Sequence, residues 1–444
     1  MGSVMLRKFA VFVLLLMACL PLAAQTDWIR TGTNLGVEKV RLAVPDFKTT
    51  ASGSESLLTA FNTTLWNDLY QAGLFDLVSK SFNPVQAPGQ PSEVNLAQWG
   101  GPPPNASMLA FGNLNVGGSE VTVQGWLYDV KNPQSPQVLG KQYKDGATVE
   151  NARLIAHKFA DEIIFRLGGG LPGIAETKIY FISNRTGHKE VWEMDYDGSN
   201  QKPVTHLGSI ALSPRISPDN ARVAFSWMSN GWEIGMYSNE LGRLVSFPRF
   251  GGTNSAPAFS SDGTKLAFSS SRSGDPEIYT VDAVSGSGLK RLTDVKGPDT
   301  SPVWNPKTNS QIAFVSGRTG LPQIFTMDAD GSNVQKMTDQ GYAISPSWSP
   351  NGQFLAFAWI RHYGPGAPGA QDIYIMDVAS HQWVQLTHDG GRNDFPSWSP
   401  DGRHIVFQSS RTGRDQIWSM LADGSQQTQL TNASGNSMPN WSLK

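Results

Sequence analysis

The chain has one cysteine in 444 residues, Cys19. No pair of thiols exists to staple the fold or to build a thiolate metal site. Charged side chains make up only 16%, and 35 Lys+Arg stand against 37 Asp+Glu. No basic stripe is visible, which argues against a nucleic-acid partner. A Gly-x-Ser-x-Gly elbow, a Walker loop and a paired-histidine zinc motif are absent. Three common routes to catalysis are therefore missing. The seven histidines are scattered, and His157, in a helical stretch, reads as a packing or surface residue before it reads as a base. No cofactor and no metal are expected.

The strongest apolar run is residues 9–20, too short to span a bilayer comfortably. Arg7 and Lys8 precede it, and Pro21-Leu-Ala-Ala24 follows with small residues. Residues 1–24 thus read as an export signal, with a mature chain starting near Gln25. Leu16-Met-Ala-Cys19 also resembles a lipoprotein cleavage box, although Met17 fits it poorly. A soluble exported protein is the favoured reading, and a lipid anchor on Cys19 the other.

What the chain has in quantity is glycine, proline and tryptophan, at 45, 28 and 14 residues, and much of it recurs in register. Pro396-Ser-Trp-Ser-Pro-Asp-Gly402 aligns with Pro346-Ser-Trp-Ser-Pro-Asn-Gly352, Pro257-Ala-Phe-Ser-Ser-Asp-Gly263 and Pro214-Arg-Ile-Ser-Pro-Asp219. Looser copies start at Pro302 and Pro439, and the steps between the leading prolines are 43, 45, 44, 50 and 43 residues. That period, filled with short strands, is the signature of β-propeller blades. In the last full unit, a short strand precedes the turn Ser399-Pro-Asp-Gly402. An apolar strand from His404 to Ser409, an alternating strand from Gln416 to Met420 and an outer strand from Thr428 to Thr431 follow. Six copies of the apolar strand, from Ile179-Tyr-Phe-Ile182 to Ile405-Val-Phe407, predict six blades. The first copy lacks an inner strand and the last inner strand, at Pro439, lacks a blade. The two ends are therefore expected to pair and close the ring, which removes exposed sheet edges.

Ahead of the repeats, Val40–Val44 alternates as a strand does. Leu57, Leu58, Phe61, Leu65 and Leu69 fall at helical spacing before Gly73. Residues 83–105 read as a proline- and glycine-rich loop with at most one short helix. Strands are expected at residues 108–113, 120–129 and 138–143, then a helix over 149–167. Gly168-Gly-Gly170 and Pro172-Gly173 form a linker. The fold class is mainly β: a six-bladed β-propeller over residues 174–444, preceded by a small α+β domain over residues 25–170.

Asp195-Tyr-Asp-Gly-Ser-Asn200 and Asp328-Ala-Asp-Gly-Ser-Asn333 hint at calcium loops, but position 12 is His206 in one and Asp339 in the other. Hairpin turns are the simpler reading. Arg185, Arg272, Arg318 and Arg411 recur in Arg-x-Gly turns, as a cationic ring for an acidic partner, as solvated turn residues or as braces between neighbouring blades. In an up-and-down blade, the residues just before each repeat proline ring one channel mouth. These are Thr253, Ala256, Asp299, Thr300, Tyr342, Ile344, Asn393, Asp394, Asn436 and Ser437. The long step between Pro346 and Pro396 carries extra residues around His362-Tyr-Gly-Pro-Gly-Ala-Pro-Gly369, projecting from the same face. Loops on a rigid scaffold commonly bind, and this mix of side chains suits a protein loop.

The whole layout resembles the TolB family. The repeats Ser-Pro-Asp-Gly, Ala-Phe-x-Ser and Met-Asp-x-Asp-Gly-Ser carry part of the resemblance. Ala72-Gly-Leu-Phe75, Leu127-Tyr-Asp-Val130 and Ala156-His-Lys-Phe-Ala-Asp161 carry the rest. It implies a non-enzymatic periplasmic component of the Tol–Pal system, peripheral to the membrane, that supports outer-membrane integrity and cell division among other envelope proteins. It implies binding of the Pal lipoprotein at the channel mouth, with Thr253, Ala256 and Thr300 at matching motif positions. It further implies binding of TolA by an N-terminal strand within residues 25–36, including Thr26, Asp27, Trp28, Ile29 and Arg30. The competing reading is a secreted propeller enzyme or a peptidase-associated domain.

Overall fold

The computed structural model describes residues 27–33, 35–360, 371–388 and 390–443. The export signal, Cys19, Thr26 and the extra residues at 362–369 lie outside the described residues.

Strand β1 (Val40–Ala43) leads to helix α1 (Glu55–Gln71), and β2 (Phe75–Leu77) follows. After a loop come β3 (Met108–Gly117), β4 (Glu120–Asp129), β5 (Gln137–Gly146) and helix α2 (Val149–Leu167). The strands form one sheet in the order β2-β1-β3-β4-β5, parallel across β2-β1-β3 and antiparallel beyond. The periodic leucines and phenylalanines of α1 and α2 pack on one face, with Phe61, Leu65, Leu69, Phe159 and Ile163 all buried against Val121, Val123 and Leu127. Thr148 caps α2 by accepting from the Asn151 amide at 3.1 Å. The other face is closed by the loop, through Trp99 against Leu109, Phe111 and Tyr128. That loop holds two helical turns within residues 83–105, Pro91–Glu93 and Leu96–Gly100, one more than its composition predicts. Trp99 explains the second turn: its burial orders a segment that propensity leaves open.

The remainder is a six-bladed propeller of four-stranded sheets. The inner strands are Ile210–Ile216, Asn254–Phe259, Asp299–Trp304, Tyr342–Trp348, Asn393–Trp398 and Asn436–Trp441, which define blades 1 to 6 in that order. Blade 6 takes its inner strand from the C-terminus and its other three from residues 178–203, with Asn436 opposite Ser183 and Trp441 opposite Ile179. The ring is closed as the incomplete first and last repeats predict.

Each second strand places a phenylalanine at the blade centre. Phe181, Phe225, Phe268, Phe314, Phe357 and Phe407 all have zero exposure. Burying each side chain contributes about 2–3 kcal/mol. Small Ala224, Ala267, Ala313 and Ala356 beside them are also fully buried and let successive sheets approach.

Candidate protein-interaction site

Every inner strand carries the same irregularity. The residue before each repeat proline has a left-handed backbone: Ser213, Ala256, Ser301, Ser345, Phe395 and Met438, with φ between 50° and 53°. At each, the pairing to the second strand slips by one residue. These are six β-bulges, one per blade, and bulges re-aim the side chains beside them. Several bulge amides are held by a neighbouring blade. Ala256 N donates to Ser226 Oγ at 2.9 Å, Met438 N to Gln408 Oε1 at 3.2 Å and Ser213 N to Met438 Sδ at 3.3 Å.

The bulges divide the residues expected at the mouth into two sets. Thr253 is exposed, while Ala256, Thr300, Tyr342, Ile344 and Ser437 are half-buried on the bulged turns. Asp299, Asn393 and Asn436 are not presented at all; each has zero exposure. They open the inner strands and serve as anchors for the Arg-x-Gly turns. Arg318 Nη2 donates to Asp299 Oδ2 at 2.7 Å, Arg411 Nη2 to Asn393 Oδ1 at 3.2 Å and Arg185 Nη2 to Asn436 Oδ1 at 3.2 Å. Asp394 is also buried, accepting from the Phe395 amide at 2.7 Å, and burial pushes its carboxyl above the usual range. The expectation that these four face a partner is corrected, because Asp299, Asn393 and Asn436 are buried on the Arg-x-Gly turns and Asp394 against its own strand.

The same bonds decide the role of the recurring arginines. Arg185 stacks over Trp192 at 4.8 Å, Arg318 over Phe325 at 5.0 Å and Arg411 over Trp418 at 4.6 Å. These three are braces joining the second turn to the inner strand. Arg272 differs: it is exposed beside Tyr279, and the Oδ1 of Asn254, the equivalent anchor, is buried without a partner. The Asp-Gly turns are hairpins braced by their own side chains. Asn200 bonds Asp195, Asn333 bonds Asp328, and Ser332 N donates to Asp330 Oδ1 at 2.9 Å. Among the described residues, no group of three or more His, Cys, Asp or Glu side chains could hold a metal ion. No described helix is long and apolar enough to cross a membrane.

The N-terminal segment lies on the opposite face, where the Ser-Pro-Asp-Gly and Asp-Gly-Ser turns are. Expected as a strand, residues Asp27–Gly32 form a short helix instead. Ile29, with zero exposure, and Leu35 pack between blades 4 and 5 against Phe354 and Leu421, and Trp28 sits 5.5 Å from the Phe354 ring. Arg30 reaches Asp423 at 3.8 Å. A Cβ at residue 32 would stand 2.3 Å from Phe354 Cζ, so only Gly32 fits there. Tertiary packing of Trp28 and Ile29 overrides the weak local preference of so short a segment.

The α+β domain docks on this same face through a polar cluster. Asp68 from α1, buried, receives His157 Nδ1 of α2 at 2.7 Å and the Tyr196 hydroxyl from blade 6. Burial pushes the Asp68 carboxyl up; His157 is also raised, because the Asp68 carboxylate outweighs the imidazole's own burial. Arg153 bridges to Asp197 at 2.5 Å, and His404 Nε2 lies 2.9 Å from the Gln71 carbonyl. His157 is therefore a buried structural residue at an interdomain seam.

With this geometry in place, comparison with known proteins gives a consistent answer. The profile of the TolB beta propeller domain matches residues 166–362 and 339–444. The Protein TolB homolog of Chlorobium chlorochromatii is 33% identical over 312 residues, 68% of this chain and 68% of that protein. The chain belongs to the TolB family. The Tol-Pal system protein TolB of Desulfosudis oleivorans is 33% identical over 295 residues, 64% of this chain and 65% of that protein. The matched stretch thus spans about two thirds of these TolB relatives. The crystal structure of TolB from Acinetobacter baumannii superposes with a TM-score of 0.76 at 24% identity, covering 92% of this chain and 98% of that one. The TolB likeness of fold therefore includes the α+β domain as well as the propeller.

Proposed function

We propose that this chain is a non-enzymatic component of the Tol–Pal envelope system, exported to the periplasm and peripheral to the membrane. The observation that carries the reading is the match to relatives named Tol-Pal system protein TolB over about two thirds of the chain. The bulged mouth grips the Pal lipoprotein, with Thr253, Ala256 and Thr300 as central contacts and Tyr342, Ile344 and Ser437 around them. A mouth built of hydroxyls, small residues and two larger apolar side chains suits a protein loop. Residues 27–30 engage TolA. Ile29 is buried against the propeller, so this contact requires the segment to leave its groove. Together these contacts support outer-membrane integrity and division.

Calorimetric titration of the full exported chain with the soluble part of Pal tests the reading. Saturable one-to-one binding is expected, and Thr300→Arg should weaken it at least tenfold while the melting curve stays unchanged. Absence of binding by the unaltered chain would refute the function. Equal binding by the variant would refute only the position of the mouth.

A further inference from the structure

Below the bulges, towards the Ser-Pro-Asp-Gly turns, lies a cavity of about 170 Å3. Four indole rings contribute to its wall, Trp304, Trp348, Trp398 and Trp441, at the same position of successive blades. Two of them are fixed by the blade before. Trp348 Nε1 donates to the Val303 carbonyl at 3.3 Å and Trp398 Nε1 to the Ser347 carbonyl at 3.2 Å. One lining side chain alone among the described residues is ionisable, Arg215.

Arg215 is placed as no brace is. Arg185, Arg318 and Arg411 end on an anchor, as Arg318 does on Asp299. Among the described residues, Arg215 makes one hydrogen bond, from Nη1 to the carbonyl of its neighbour Pro214 at 3.0 Å, and no carboxylate lies within ion-pair distance. Arg215 is half-buried against a largely apolar wall, and a cation there with no counter-charge among the described residues is costly. A carboxylate entering the cavity would meet the remaining N–H groups of the guanidinium in the forked geometry the two groups share. Burial pushes Arg215 down only to about 10, so it is charged at neutral pH.

We propose that this half of the channel is a binding site for a carboxylate joined to a single flat apolar group, with Arg215 holding the charge and the tryptophan walls holding the ring. The volume agrees, because a cavity of about 150 Å3 accommodates benzene. Two sources share this chemistry: a small aromatic acid, and the free C-terminus of a peptide ending in phenylalanine. The site lies at the other end of the channel from the bulged mouth and stands independently of the Pal reading.

The test uses the full exported chain, tryptophan fluorescence and calorimetry. The probes are 3-phenylpropionate and its amide, and acetyl-Gly-Gly-Phe as free acid and as amide. At least one acid should quench fluorescence saturably and bind at least tenfold tighter than its amide. The tighter acid identifies the source. Arg215→Gln should abolish the preference for acid, and Arg215→Lys should keep part of it. Equal affinity for acid and amide, no saturable binding of either acid, or an unchanged preference in a folded Arg215→Gln protein would overturn the proposal. If that variant does not fold, the acid-to-amide ratio of the unaltered chain decides.

Discussion

Trp441 Nε1 donates a hydrogen bond to Thr177 Oγ1 at 2.7 Å, joining the last propeller strand to the residue ahead of the first. Beside it, Ser442 N donates to the Lys178 carbonyl and Lys178 N to Ser442 Oγ, both at 2.8 Å. With no cysteine pair available, these bonds and the buried indole reinforce the strand pairing that latches the ring. Trp441→Ala should cost about 3–5 kcal/mol, as expected for truncating a buried aromatic residue. Trp441→Phe, which keeps a ring and loses the bond, should cost about 1 kcal/mol. Urea unfolding measures both. An alanine variant as stable as the parent would mean that the seam is held elsewhere.

The Arg318–Asp299 pair makes a sharper prediction, because its charge is buried. Asp299 has zero exposure, and burial raises its carboxyl above the ordinary value despite the guanidinium beside it. Arg318→Ala leaves that carboxylate unpaired and should cost about 3–5 kcal/mol at pH 8. The sign with pH follows from the raised pKa. The folded chain takes up the proton first as pH falls, so the deficit shrinks towards pH 5. Asp299→Asn should be nearly neutral, since Asn254, Asn393 and Asn436 occupy the same position in other blades. Chemical denaturation of the three proteins at pH 5 and 8 checks both statements. A partner-binding role alone for Arg318 would leave these curves superposed.

The repeat was legible because proline and Asp-Gly turns are local chemistry. Blade number follows from the six copies of the apolar strand, and the pairing of the chain's two ends from the incomplete first and last repeats. The bulges were not legible. The residues that adopt the left-handed backbone are serine, alanine, phenylalanine and methionine, and they share no side-chain property. A residue before proline also ordinarily prefers extended backbone. Without the arginine bonds that bury them, Asp299, Asn393 and Asn436 look like surface residues, which is why the sequence places them at the mouth. The Asp68–His157–Tyr196 cluster was hidden for another reason. Its members lie 89 and 128 residues from Asp68, and no local pattern marks such a pairing.

The bulge itself can be probed at Ala256, whose φ is 50°. A left-handed backbone costs an L-residue roughly 1–2 kcal/mol relative to glycine, and the greater unfolded-state freedom of glycine offsets part of that. Ala256→Gly should therefore be neutral or stabilising by up to about 1 kcal/mol. Ala256→Val, β-branched in the same conformation, should destabilise by more than 1 kcal/mol. Thermal unfolding of the pair tests whether the bulge is under backbone strain. Destabilisation by glycine would mean that the Ala256 methyl group contributes packing that outweighs it.

Asp161 gives the molecule a predictable response to pH at the junction between its two parts. Its carboxylate, on α2, accepts from the Ala175 amide at 3.1 Å and so ties the linker to the helix. Burial, with Asp68 and Glu176 nearby, pushes it up to about 7 against the bond from Ala175 and the His157 charge. Between about pH 4 and pH 7 the folded chain holds a proton there that the unfolded chain has released. Stability from this group therefore falls as pH rises through that window and levels off above it. Asp161→Asn keeps an acceptor for Ala175 and removes the buried charge. It should gain about 1–2 kcal/mol at pH 8 and close to nothing at pH 4. Because the cost of the charge is located at the linker, protease cleavage near residues 168–173 should also slow in the variant at pH 8. Unfolding and cleavage rates that differ from the parent equally at pH 4 and pH 8 would show that the effect is packing and not charge.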